Sequence, residues 1–350
     1  MKYYHIDTID KRDIPKKFFD NIFKNNKNWA HSYNQCNFSY NITKKSYNLK
    51  CDIGFRFKNI HRQYLTTKAN LYHTLKKESD FIVDNIMLPT YDFKPDSNIN
   101  DFKKLFEKEE KLILRPTWGF ARKSILIFND FNKFKKFIET EGYNEMKNAN
   151  IKRSQSIDEH YILNRFIEGH LYNGYVYNFR VFMLVSLVEN NYYCAYINNY
   201  IVHLGDIPYK EGKKNINTDT VTGLISGSIN DVMFNKYLES LTKEQGDYIM
   251  KQIDYIVRVL FHIIKKYKYM KVYENYKNGY EIYGIDFIVK QDFQVILVEM
   301  NDKTGLDNYD DMTYTGLTNM IVDMTLNKIK NKEYHINISD DIKALYTECE

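Results

Sequence analysis

Residues 283–301 read YGIDFIVKQDFQVILVEMN. Apolar and polar residues alternate, as they do along a strand with two unlike faces. Ile285, Phe287 and Val289 fall on one face, and Asp286 and Ile288 on the other. A two-residue turn at Asp292-Phe293 folds the stretch into a hairpin and sets Asp286 directly opposite Glu299. Asn301, two residues further on, shares their face. The plainer reading is a solvated hairpin end. Yet Glu299 follows the apolar run Val295-Ile296-Leu297-Val298, and two opposed carboxylates in a half-buried place repel each other. A cation between them relieves that repulsion. Two carboxylates and an amide form a hard, oxygen-only set that suits Mg²⁺ with phosphate oxygens completing its shell.

The rest of the chain bounds what such a hairpin can serve. A length of 350 residues with 43% hydrophobic content supports two or three lobes and a sizeable core. The first residues are charged, with no apolar core of signal-peptide length. No apolar run reaches the roughly 20 residues of a membrane span. Cys36, Cys51, Cys194 and Cys349 stand at no metal-ligand spacing and are too few for a disulfide scaffold. A reducing, cytoplasmic setting is the simplest expectation. The net charge of +5, from 50 basic and 45 acidic residues, suits a phosphate-bearing or acidic partner. It is no signature of specific nucleic-acid binding.

Strand and helix patterns are mixed. Residues 66–78 read as a helix with Leu71 and Leu75 on one face. Pro89 and Pro95 make the next segment extended or a linker. KLILRP is a short strand, residues 125–128 a second, and WGFARKS the loop between them. Residues 131–139 form an amphipathic helix. Strands follow at 161–167, 178–188 and 192–201, and a polar loop at 206–222. The clearest helix spans 244–267, where Ile249, Ile253, Ile256, Leu260 and Ile263 recur at helical spacing. A last helix covers about 314–329. Hairpins in place of regular βαβ units indicate an α+β chain with mostly antiparallel sheets flanked by helices.

Three upstream elements could serve a nucleotide. Arg115 ends the LILRP strand, and the following loop carries Gly119, Arg122 and Lys123, cations suited to phosphate oxygens. ILNRFIEG is an apolar strand entering a turn, able to offer backbone groups to an adenine edge, with Glu168 near a ribose. Arg180 interrupts the apolar series of a central strand. A guanidinium there needs an anion, either a structural carboxylate or a reacting phosphate.

Taken in order over roughly residues 60–330, these segments resemble the tubulin–tyrosine ligase group of ATP-grasp enzymes. LTTKANLYHTLKK is similar to the family's helix opening with a nucleotide-contacting lysine, here Lys68. LILRPTWGFARKSILIF resembles its strand–loop–strand over the phosphates, with Arg115 in place of a lysine. Asn164-Arg165-Phe166-Ile167 resembles the adenine hinge, and YNFRVFMLV the strand that carries the arginine, Arg180. IDFIV and LVEMN match the metal triad Asp286, Glu299 and Asn301. The departures are specific. Arg122 and Ser124 replace two loop glycines, and Val176 and Asn178 replace a lysine and an aspartate. The acceptor arginine falls near Val202, beside His203.

The resemblance implies an ATP-grasp fold. A small N-terminal lobe would cover 1–65, a central lobe 66–160, a C-terminal lobe with the metal hairpin 161–335, and a tail 336–350. It implies an ATP- and Mg²⁺-dependent ligase forming C–N bonds. A free amino acid would be joined to a protein or peptide acceptor through an acyl phosphate, with tubulin one candidate acceptor and neither nucleic acid nor membrane as partner. Arg180 and Glu299 would be catalytic. Lys68 and Arg115 would hold phosphates, while Asn164 and the backbone of Arg165–Ile167 would read adenine. The eroded loop raises a second reading, a decayed ATP-grasp protein acting as a nucleotide-dependent scaffold. A third is a phosphotransferase that stops at phosphate transfer.

Overall fold

The computed structural model describes residues 1–7, 14–32, 36–41, 51–55, 64–94, 97–109, 111–117, 126–140, 161–205, 232–272, 276–302, 310–330 and 334–349. The phosphate-loop residues Gly119, Arg122 and Lys123 and the polar loop 206–222 lie outside them.

Two sheets carry the fold. The larger is built on two long central strands, β9 (Tyr177–Val188) and β13 (Tyr276–Val289), paired antiparallel with Asp286 against Arg180. Both alternate apolar residues to opposite faces, and both faces are covered. Against one lies α7 (Lys243–Tyr267), whose Ile249, Ile253, Ile256, Leu260 and Ile263 pack with Phe179, Val181, Met183, Ile285 and Phe287. This helix starts at a capping box, Thr242 with Gln245, and ends at Lys268 in the left-handed conformation. Against the other face lies α8 (Asp311–Thr325), whose Leu317, Met320 and Ile321 meet Phe182, Leu184 and Ile282. Each such apolar side chain, fully buried, contributes about 1.5–3 kcal/mol.

The first strands extend the same sheet. They are β1 (Lys2–Asp7), β2 (Trp29–His31), β3 (Cys36–Asn41) and β4 (Cys51–Phe55), joined in parallel pairs, with β4 parallel to β13. Helix α1 (Ile14–Lys24) covers them with Phe19 and Phe23. Register sets Cys36 beside Cys51, and the two form a disulfide. The chain spacing of these cysteines suggested thiols only, because parallel pairing brings together residues that no local motif links.

At the other margin, β9 pairs with β10 (Asn191–Ile197) and β11 (Ile201–Leu204), and β11 with β12 (Val232–Met233), which leads into α6 (Phe234–Leu238). Residues 340–349 are structured as well. Helix α9 (Asp340–Lys343) leads into β15 (Tyr346–Cys349), which pairs with β10.

The smaller sheet runs β5 (Thr90–Phe93), β8 (Tyr161–Arg165), β6 (Leu112–Pro116), β7 (Leu126–Phe128), all antiparallel. The segment expected to be extended or a linker thus supplies an edge strand, which tolerates the prolines on either side of it. One face of this sheet packs Phe93, Leu112, Leu114 and Leu163 against Phe134 of α5 (Phe131–Glu139), beside α4 (Lys103–Lys108). Between the sheets, α2 (Lys68–Glu78) and α3 (Asp80–Ile86) pack on the hairpin strand β14 (Val295–Asn301).

Candidate active site

The hairpin β13–β14 sets Asp286 opposite Glu299 and Gly284 opposite Asn301. Two offsets produce this pairing. The turn is one residue longer than expected: Lys290 N–H donates to the Gln294 carbonyl, and Phe293 stands left-handed at φ 64°. The longer turn alone would set Val298 opposite Asp286. A bulge at Val298 skips that residue and returns Glu299 to the polar face.

A connected polar row results. Arg180 grips Asp286 with two hydrogen bonds, Nε to Oδ1 at 2.7 Å and Nη2 to Oδ2 at 2.6 Å. The Asn301 amide donates to Glu299 Oε1 at 2.9 Å and to Asp286 Oδ2 at 3.3 Å. Lys68, at the start of α2, reaches Glu299 Oε2 at 2.6 Å. Its helix is capped by Thr67, and the Lys68 N–H meets the Thr117 carbonyl just past β6, which ties this corner to the smaller sheet.

Charge is distributed unevenly over the row. Burial pushes the Glu299 carboxyl up, but Lys68, Asn301 and Arg115 outweigh it and hold the group far below its ordinary range. Burial also raises Asp286, and there it prevails over the opposing Arg180 guanidinium, with the charge of Glu299 adding to the rise. Arg115 is lowered by burial and supported by Glu299. Opposed carboxylates are thus pushed apart in acidity, as expected for a shared site.

Among the described residues, no group of three His, Cys, Asp and Glu side chains gathers at metal distance. An ion here would take the two carboxylates and the Asn301 amide, completed by ligand oxygens. The residues fit Mg²⁺ chemistry on that count, since Mg²⁺ binds one or two carboxylates plus phosphate.

A family model described as the tubulin-tyrosine ligase family matches residues 24–338. The chain belongs to the tubulin-tyrosine ligase family. Its fold is therefore ATP-grasp, and the α+β chain with mostly antiparallel sheets agrees with that. Ligation that depends on ATP is the family's general function. A search of curated proteins finds no match. No described helix is long and apolar enough to cross a membrane.

The residues expected from this tubulin-tyrosine ligase family resemblance fall into two groups. Arg180, Asp286, Glu299, Asn301, Lys68 and Arg115 converge. The hinge residues Arg165, Phe166 and Glu168 instead engage the segment before β6: Arg165 pairs with Glu109 at 3.0 Å, Glu168 with Lys111 at 3.3 Å, and the Phe166 N–H with the Lys111 carbonyl. The hinge then crosses to the larger sheet, where His170 N–H donates to the Val289 carbonyl. Asn164 is distinct, for its side chain faces inward and binds Arg115.

Two further polar residues share the face of Arg180. His203 lies directly opposite Asn178, two residues before Arg180. The sequence placed His203 only beside a missing arginine. Strand pairing to β9 was the signal needed.

Proposed function

We propose that the chain is an ATP- and Mg²⁺-dependent carboxylate–amine ligase that joins a free amino acid to a protein or peptide acceptor. The observation that carries this reading is the unbroken row Lys68–Glu299–Asn301–Asp286–Arg180, anionic at its centre and cationic at both ends. Such a row suits a polyphosphate whose counter-cation sits between the carboxylates.

Asp286, Glu299 and Asn301 would hold Mg²⁺, which when bound neutralises phosphate charge that develops during transfer. Lys68 and Arg115 would bind the α- and β-phosphates. The backbone of Arg165–Ile167 would read adenine. A carboxylate oxygen of one substrate attacks the γ-phosphorus, the bond to the β-phosphate oxygen breaks, and ADP leaves. The amine then attacks the acyl carbon, inorganic phosphate departs, and the amine loses its proton to give the amide. Arg180 would steady first the transferring phosphoryl oxygens and then the oxyanion. Asp286 orients it by taking two of its five N–H donors.

The replaced loop glycines favour one second reading, a nucleotide-binding scaffold. The experiment that separates them is ATP-dependent mass addition, screened across amino acids and peptide acceptors, with ADP release measured in parallel. Ligation predicts sustained release over many turnovers only when both an acid and an amine are present. Sustained release with an acid alone means a phosphotransferase, and a Mg·ATP thermal shift without release means a scaffold. No shift at millimolar ATP removes all three.

A further inference from the structure

An amide side chain has four hydrogen-bonding positions, two lone pairs on oxygen and two N–H groups. In Asn164 all four are used. Its Oδ1 accepts from Arg115 Nε at 3.0 Å and Nη2 at 2.8 Å. Its Nδ2 donates to Thr90 Oγ1 at 2.7 Å and to the Pro89 carbonyl at 3.2 Å. Thr90 in turn donates to the Leu88 carbonyl at 3.0 Å. Asn164 is 2% exposed. An adenine edge would have to displace one of these buried bonds and leave its partner unsatisfied.

The sheet builds this arrangement. Thr90, Asn164 and Ile113 stand side by side on β5, β8 and β6, so they share a face, and Arg115 shares it two residues along from Ile113. The opposite face holds the core of Leu112, Leu114 and Leu163. The Arg115 guanidinium therefore emerges on the side away from that core, close enough to Glu299 for its charge to be felt there.

We propose that Asn164 is a positioning residue that locks the guanidinium of Arg115 against the polyphosphate and takes no part in adenine recognition. The assignment rests on the nucleotide-site reading above. A neutral orienter has a specific advantage. A carboxylate at 164 would fix the arginine equally well but cancel its charge, whereas an amide aims the guanidinium and leaves the charge to the ligand. Two N–H groups go to Asn164, and among the described residues the other three are left for phosphate oxygens.

The test compares ligands that differ only in phosphate. Binding of Mg·ATP, Mg·ADP and adenosine is measured for the full chain by calorimetry, with adenosine followed by ligand-observed NMR. Asn164→Ala is expected to weaken ATP and ADP by about tenfold or more while leaving adenosine unchanged. Thr90→Val, which removes one support of the amide and retains its oxygen, should give a smaller loss of the same selectivity. It also serves if the alanine variant does not fold. In an Arg115→Ala background, Asn164→Ala should cost nothing further in ATP affinity. Equal losses for adenosine and ATP would overturn the assignment and return Asn164 to adenine. Unchanged ATP binding in Asn164→Ala or Thr90→Val would overturn it as well. A wild-type chain that binds none of the three ligands would overturn the nucleotide reading itself, a distinguishable outcome.

Discussion

At the scale of single residues, charge pairing decides what each site group can do. Glu299 is held ionised by Lys68, and Asp286 is fixed by the Arg180 fork. Glu299→Gln keeps the shape and the Asn301 contact but removes the charge. ADP release is expected to fall at least 100-fold with the circular-dichroism spectrum and melting temperature little changed, and full activity in this variant would refute the metal assignment. Arg180→Lys keeps a charge but loses the two-pronged grip on Asp286. Its turnover number should fall more than its KM for ATP rises, measured by steady-state ADP release. Equal loss in binding alone would assign Arg180 to ground-state anchoring.

At the scale of elements, the junction of β4 with β13 is tightly specified. Gly54 lies where a methyl group would overlap the buried Tyr276 ring. Gly54→Ala should therefore destabilise the protein by about 1–3 kcal/mol, read from urea unfolding. Asp52, next to the disulfide on β4, accepts from Lys277 at 2.6 Å and Tyr334 at 2.8 Å, joining β4 to β13 and to the C-terminal segment. Burial raises its carboxyl, but Lys277, Asn37 and Tyr334 together leave it below 3.8. A depressed carboxyl contributes stability that is full above its unfolded value and is lost as pH falls through the folded one. Asp52→Asn should thus cost on the order of 1 kcal/mol at pH 7, and the difference should shrink as pH falls below 3.8. A constant difference from pH 7 to pH 3 would show that Asp52 acts without its charge.

At the scale of the whole molecule, the first four strands and the hairpin that carries Asp286 and Glu299 share one sheet. β13 pairs with β4 at its start and carries the hairpin at its end, and Phe38 stacks on Tyr280 across the junction. Removing residues 1–65 would bare the first part of the β13 edge and take away about a third of the buried side chains of the core on the α8 face. The truncated chain is expected to be insoluble or to lose its cooperative thermal transition, checked by gel filtration and calorimetry. A soluble, cooperatively melting truncation would establish the first strands as an independent lobe.

Much of this was legible in the sequence. Hydrophobic spacing marked α2, α5 and α7 almost to their ends, because a helix writes its buried face into a local repeat. The alternation around Asp286 and Glu299, with Asn301 two residues on, named three polar side chains that the hairpin brings together. Their pairing was also right, although the turn is longer and the Val298 bulge restores what the turn displaces. Other features depended on contacts between distant segments. No local pattern pairs Cys36 with Cys51, makes a strand of residues 90–93 between prolines, or turns residues 346–349 into a partner of β10. Asn164 shows the division most clearly. The sequence determined that an amide stands at the hinge, and only the tertiary structure decided what it binds. Hydrogen-bond capacity is spent on neighbours in space, and β5 and β6 bring Thr90 and Arg115 to it from 74 and 49 residues away.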